Sequence, residues 1–151
     1  RYSDLLPDRQ GDRHGGAGMK IVIFYEKPGC ATNAKQKKSL RDAGCMVIER
    51  NLLEHGMTTN ELHAFLQGKP HTQWFHQSAP DIKNGVIEPA LMNPDEALQT
   101  LMRDPILIKR PLMVVGGTKL CGFEQKRVEA LIGRPLDRKV MTACSAERTP
   151  C

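Results

Sequence analysis

The sequence predicts an α/β domain in which a parallel strand–helix–strand unit and a β-hairpin contribute to one sheet. The first observation is an apolar run, a helical segment and a second apolar run in succession over 20–53. The second is the pair Gly116–Gly117 between two short apolar runs, which is typical of a two-residue hairpin turn. The third is a set of helix-start signals between and after these units. At 151 residues the chain has the length of one domain.

The first unit is predicted from its apolar and turn residues. Residues 20–25 (KIVIFY) have the composition of a buried strand, and Pro28–Gly29 then form a turn. Good helix formers fill 31–43, and Gly44 stands where a left-handed residue ends a helix. Residues 45–53 (CMVIERNLL) predict a second strand, which is parallel to the first if the helix crosses over between them.

Two helices in the middle of the chain are predicted from their N-terminal caps. Thr58 and Glu61 have the spacing of a capping box that opens a helix to about Leu66. Asn93 precedes a proline and two acidic residues, which is a favourable helix start, and this helix runs to about Arg103.

Residues 71–90, between these helices, are the least periodic part of the chain. Trp74 and Phe75 are expected to anchor this stretch in the core or to form a surface for a partner.

The last part of the chain predicts a hairpin and a helix. Residues 111–115 and 118–121 are its strands, and 124–132 form a closing helix that ends at Gly133. The complete order is β, α, β, a helical middle, a β-hairpin and α. This order is that of a thioredoxin-like fold with a helical segment inserted between its two halves.

Both ends of the chain are expected to lie outside this domain, which spans 19–135. Residues 1–18 lack the apolar segment and cleavage site of a signal peptide, and we interpret them as a disordered extension or as sequence foreign to the protein. Residues 136–151 are expected to be a flexible tail. No apolar run has the length of a membrane-spanning helix.

The net charge of +5 raises the question of an anionic partner. Part of the excess lies in the predicted tail, and the rest lies mainly in Lys35, Lys37 and Lys38, which are expected to form a solvated helix face. Aromatic residues are few and no nucleic-acid-binding motif is present. We therefore expect a monomer that binds neither nucleic acid nor a membrane.

Cysteine usage indicates a reducing cytoplasm. The count is odd, no CxxC pair occurs, and no histidine stands at zinc-ligand spacing, so no metal site is expected. Cys45 and Cys121 are expected to pack in the core, whereas Cys144 and Cys151 belong to the predicted tail.

Cys30 is the residue at which chemistry is expected. It follows a strand and a turn and opens a helix, where unpaired backbone N–H groups and the helix dipole favour a thiolate. The N–H groups of Ala31, Thr32 and Asn33 can hold an oxyanion beside the sulfur. Because position 33 is asparagine, CxxC dithiol chemistry is excluded, and a disulfide must form with glutathione, another protein or a distant cysteine. The alternative is a buried, inert cysteine at a strand end.

Arg110–Pro111 is the second informative pair. In thioredoxin-like folds a cis-proline begins the strand that faces the active-site helix, and Pro111 opens a predicted strand in the second half of the chain. Arg110 would then lie near Cys30, where a guanidinium can hold an oxyanion with two hydrogen bonds and stabilise a thiolate. The alternative is a surface arginine at a strand start.

Three blocks of the chain, taken in order, carry a family resemblance. They are FYEKPGCATNAKQKKSL (24–40), IERNLLEHGMTTNELHAFL (48–66) and DPILIKRPLMVVGGTKLCGF (104–123). Together they resemble the arsenate reductase and Spx family of thioredoxin-like proteins, over about Met19 to Gly133. The middle block, 74–98, is most similar to the nitrogenase-associated branch of that family, which is linked to nitrogen fixation.

The resemblance implies a nucleophilic thiolate at Cys30, an oxyanion-binding Arg110 and a substrate contact at Pro111. It also implies that no cofactor is bound and that glutathione serves as a co-substrate. In the reductases of this family the thiolate attacks arsenate, glutathione attacks the adduct, and glutaredoxin completes the reduction to arsenite. A small oxyanion or thiol substrate, and glutaredoxin or a nitrogenase-related protein as partner, are therefore expected.

The sequence departs from the reductases at two positions. They surround the oxyanion with three arginines, whereas here only Arg110 matches, and the other positions fall near Trp74 and Phe75 and at Gly122. Fewer charge-assisted contacts predict weaker binding of a doubly charged oxyanion. Two functions stay open: an arsenate reductase-like enzyme with a single catalytic cysteine, and a non-catalytic binding module, as in the Spx branch, which contacts RNA polymerase.

Overall fold

A computed structural model describes residues 20–54 and 56–136. The predicted extension at 1–18 and nearly all of the predicted tail lie outside these residues, and so do Cys144 and Cys151. Leu136, placed at the start of that tail by the sequence, is buried against the core, and its N–H donates to Glu129 Oε2 at 2.7 Å.

Four strands form one mixed sheet in the order β2-β1-β3-β4. Strand β1 (Ile21–Glu26) is parallel to β2 (Met46–Asn51) and antiparallel to β3 (Leu112–Val115), which pairs in turn with β4 (Thr118–Cys121). The predicted parallel unit and the predicted hairpin therefore share one sheet. Gly116–Gly117 form the hairpin turn with positive φ angles of 57° and 85°, which glycine adopts without steric cost.

Five α-helices occur in the described part of the chain. They are α1 (Ala31–Asp42), α2 (Thr59–Leu66), α3 (Pro80–Lys83), α4 (Pro94–Arg103) and α5 (Gln125–Ile132). Both predicted capping boxes are confirmed, since Thr58 caps α2 and Asn93 caps α4 with reciprocal side-chain and backbone hydrogen bonds. None of the helices among the described residues is long and apolar enough to cross a membrane.

The core has two clusters, one on each face of the sheet. Strand β3 shows this directly, because Leu112 packs in one cluster while Met113 and Val115 pack in the other. Trp74 and Phe75 are both buried in the cluster with Leu112. Of the two expectations for this pair, the core anchor is confirmed and the partner surface is wrong.

The predicted solvated lysine face of α1 is only partly right. Lys35 and Lys38 are exposed, but the side chain of Lys37 is only 13% exposed and its Nζ lies 2.7 Å from Glu26 and 2.9 Å from Glu49. Because Glu26 and Glu49 belong to β1 and β2, these ion pairs tie the helix to the sheet. Periodicity alone did not indicate them, since they join residues from three elements.

Candidate functional site

Cys30 lies at the N-terminus of α1, as the sequence predicts. It is the N-cap residue, its side chain is 2% exposed, and its Sγ accepts a hydrogen bond from the Asn33 N–H at 3.5 Å. Gly29 brings the chain into this position with a φ of +86°. The sulfur therefore faces the positive end of the helix dipole and a backbone donor.

The first turn of α1 supplies the other predicted ligand-binding groups. Asn33 is buried, and both ends of its side chain are used within the protein: Oδ1 accepts from the Lys27 N–H at 3.3 Å, and Nδ2 donates to Gln36 Oε1 at 3.0 Å. Asn33 thus holds the turn before Cys30 in place. The N–H groups of Ala31 and Thr32 lie in the first turn, where a helix offers no acceptor of its own.

Arg110 is buried and precedes a cis peptide bond to Pro111, so the cis-proline prediction is confirmed. Its side chain is 3% exposed, and the alternative of a surface arginine is wrong. Burial lowers the pKa of Arg110 to about 10, while the charge of Cys30 acts to raise it, which indicates that the two side chains are close. Arg110 keeps its positive charge at neutral pH.

The guanidinium of Arg110 has one end fixed and one edge without partners. Its Nη1 donates to the carbonyl oxygens of Ile106 at 3.1 Å and Ile108 at 3.4 Å. Its Nε and Nη2 are buried and have no hydrogen-bond partner among the described residues. These two nitrogens form the side-on edge of the guanidinium, the geometry with which arginine binds carboxylates and other oxyanions.

His76 is a residue at this site that the sequence did not indicate. It is 5% exposed, and the Nε2 of its ring is buried without a hydrogen-bond partner among the described residues. Its backbone N–H donates to the Leu107 carbonyl oxygen at 2.7 Å. That bond, beside the bridge between Phe75 and Ile108, joins the middle segment to the residues before β3. A single histidine with no motif around it does not stand out in the sequence, although the resemblance places one of the oxyanion-binding positions of the reductases near Trp74 and Phe75, directly before His76.

The remaining described cysteines are core residues, as expected. Burial raises the pKa of the Cys121 thiol to about 11 and also raises the pKa of Cys45. Both therefore carry little thiolate at neutral pH. Within residues 20–54 and 56–136, no group of three or more histidine, cysteine or acidic side chains could hold a metal ion.

Comparison with known families and proteins gives consistent matches. The model of the ArsC family matches residues 25–131. A Rhodospirillum rubrum protein described as an uncharacterized 15.7 kDa protein in the draG 3' region is 40% identical over 115 residues, which cover 76% of this chain and 80% of that protein. The global transcriptional regulator Spx 1 of Lactococcus lactis is 24% identical over 130 residues, covering 80% of this chain and 96% of that protein.

Solved structures give the same fold. The arsenate reductase from Vibrio cholerae superposes with a TM-score of 0.61 at 18% identity, covering 77% of this chain and 98% of that one. The prediction of a thioredoxin-like fold is therefore confirmed.

Proposed function

Because the chain belongs to the ArsC family, we propose that it is an arsenate reductase-like thiol oxidoreductase with Cys30 as its nucleophile and Arg110 as its oxyanion-binding residue. One observation carries the proposal: a cysteine at a helix N-terminus lies beside a buried, charged arginine whose Nε and Nη2 have no partner among the described residues. A bound oxyanion would satisfy these donors and offset the cost of burying them.

The geometry suits attack of a thiolate on a small tetrahedral oxyanion. Arg110 holds two oxygens of arsenate through Nε and Nη2, and the N–H groups of Ala31 and Thr32 face the same charge. The sulfur of Cys30 bonds to arsenic and hydroxide leaves. A glutathione thiol then displaces a second hydroxyl from arsenic as water, and the glutaredoxin thiolate attacks the glutathione sulfur. The electron pair of the arsenic–glutathione bond passes to arsenic and reduces As(V) to As(III), and glutathione and glutaredoxin leave as a mixed disulfide. Water then cleaves the bond between Cys30 and arsenic, which releases arsenite and restores the Cys30 thiol.

A role connected with nitrogen fixation is part of this proposal. It is supported by the resemblance of 74–98 to the nitrogenase-associated branch and by the relative whose description places it in the draG 3' region. We place the protein in the cytoplasm, where the glutathione pool keeps a single reactive thiol reduced.

A steady-state assay of arsenate reduction with glutathione and glutaredoxin tests the proposal. The wild-type protein should turn over, Cys30→Ser should abolish turnover, and Arg110→Met should lower kcat/KM by at least about tenfold through the loss of charge-assisted hydrogen bonds. Cys45→Ser is the matched control, because Cys45 is a buried cysteine of the core. Turnover that survives Cys30→Ser, or no turnover by the wild type, would refute the proposed reaction.

A second candidate is a regulatory binding module. It is favoured by two large apolar side chains on the surface, Val86 at 71% and Leu91 at 78% exposure, and by the similarity to Spx 1. Pull-down from nitrogen-fixing cells with wild type and Cys30→Ser separates the two functions. A partner retained by both proteins, together with an absence of thiol turnover, would favour the module.

A further inference from the structure

His76 is the strongest unexplained group in the described part of the chain. It is 5% exposed, and its Nε2 is buried without a hydrogen-bond partner among residues 20–54 and 56–136. Buried polar atoms in proteins are nearly always paired, because leaving one unpaired costs the full desolvation of that group. A ligand that forms a hydrogen bond with Nε2 of His76 would offset this desolvation cost.

Arg110 has the same property at two further atoms. Among residues 20–54 and 56–136, three buried side-chain nitrogen or oxygen atoms lack a hydrogen-bond partner: Nε2 of His76, and Nε and Nη2 of Arg110. All three atoms thus belong to two residues, and the charge of Arg110 acts directly on His76. Three unpaired polar atoms in one region, beside the cysteine that Arg110 faces, indicate a common ligand.

The charges around His76 specify what that ligand is. Three charged side chains act on the imidazole, and all are cations: Lys27 from the turn before α1, and Lys109 and Arg110 from the segment before β3. Burial and these cations lower the pKa of His76 to about 4, so the imidazole is neutral at pH 7. A positive potential at buried, unpaired donors favours an anion.

We propose that His76 is a second oxyanion-binding residue, which holds the anion together with the Nε and Nη2 atoms of Arg110 and takes up a proton when a dianion binds. This inference rests on the proposed function only in assigning the oxyanion to the Cys30 site. Neutral imidazole can donate from Nε2 to an anion oxygen in one tautomer, and imidazolium donates from both nitrogens. A bound dianion opposes the field of the three cations at His76 and therefore favours the protonated form.

A histidine at this position makes anion binding depend on pH, which a permanent cation would not do. Arg110 contributes a fixed positive charge, whereas His76 contributes one only when the bound anion holds its proton in place. Binding of a dianion and binding of a proton are then coupled, so each strengthens the other. The site should bind a divalent tetrahedral oxyanion more tightly as the pH falls towards the value at which free His76 becomes protonated.

Sulfate is the probe, because it stays a dianion throughout the range of the measurement and cannot be reduced by Cys30. Isothermal titration of the full chain in buffers of different ionisation enthalpy counts the protons taken up on binding. At pH 6 the wild type should take up protons on binding sulfate, and its Kd should fall as the pH is lowered towards 4, by at most about tenfold per pH unit for one coupled proton. His76→Gln should bind sulfate more weakly and without proton uptake.

The control is His63→Gln, which removes an exposed histidine on α2 and should behave as wild type. Should His76→Gln fold poorly, the NMR titration of the His76 ring in the wild type replaces it, and sulfate should raise the pH at which that ring protonates. No sulfate binding by the wild type, or binding without proton uptake, would overturn the inference. Sulfate binding with proton uptake in a protein that does not reduce arsenate would uphold His76 and reject only the proposed reaction.

Discussion

The burial of His76 makes the stability of this protein sensitive to mild acid. The pKa of its imidazole is about 4 in the folded protein and 6.5 when unperturbed, and the largest cause is desolvation by burial. Between these values the unfolded chain binds a proton that the folded chain does not. The free energy of unfolding therefore falls as the pH falls from the unperturbed value towards 4.

The size of this effect follows from the two pKa values. A gap of about 2.5 pKa units, from 6.5 to about 4, corresponds to about 3 kcal/mol once both states are protonated. Only part of it develops between roughly pH 7 and pH 5, where we expect a loss of about 2 kcal/mol. That is a large share of the stability of a small domain.

Urea unfolding of wild type and His76→Gln over this pH range measures the effect. Glutamine does not titrate, so the variant should not lose the stability that the wild type loses. The free energy of unfolding of His76→Gln, relative to that of the wild type, should therefore rise by about 2 kcal/mol as the pH falls over this range. His63→Gln, at an exposed position, should instead follow the wild type. Parallel curves for wild type and His76→Gln would refute the reasoning, because the imidazole would then titrate as in the unfolded chain.

Three further predictions concern the core, a cap and a thiol. Phe24→Ala should cost about 3–5 kcal/mol in urea unfolding, because Phe24 is fully buried on β1, and a loss below about 1 kcal/mol would contradict that packing. Thr58→Ala should cost about 1 kcal/mol by removing the capping box of α2, whereas Thr59→Ala, one residue later, should cost less. Cys121 should resist iodoacetamide in the native protein at neutral pH, because burial raises its pKa to about 11, and modification detected there by mass spectrometry before unfolding would show this to be wrong.

The local elements were predictable because short-range chemistry determines them. The apolar runs of β1 and β3, the glycine pair of the hairpin and the capping boxes at Thr58 and Asn93 each act within a few residues, and each is found where the sequence predicts it. The position of Cys30 at the start of α1 belongs to the same class, because a strand, a turn and a helix in succession determine it.

The surroundings of Cys30 were only partly predictable. Arg110 was found through its proline neighbour, since a cis-proline strand has a known place in this fold. His76 was missed, because it reaches the site through backbone pairing with Leu107, some thirty residues along the chain. The pairing of Lys37 with Glu26 and Glu49 was missed for the same reason.

The sequence by itself therefore determined the fold class, the helix that Cys30 opens and the identity of the arginine that accompanies it. Only the tertiary structure decided that Arg110 is buried with its Nε and Nη2 unpaired and that His76 shares its surroundings. The physical reason is that burial and electrostatic interaction depend on which distant segments pack together. Periodicity and local propensity report only on the conformation of each segment.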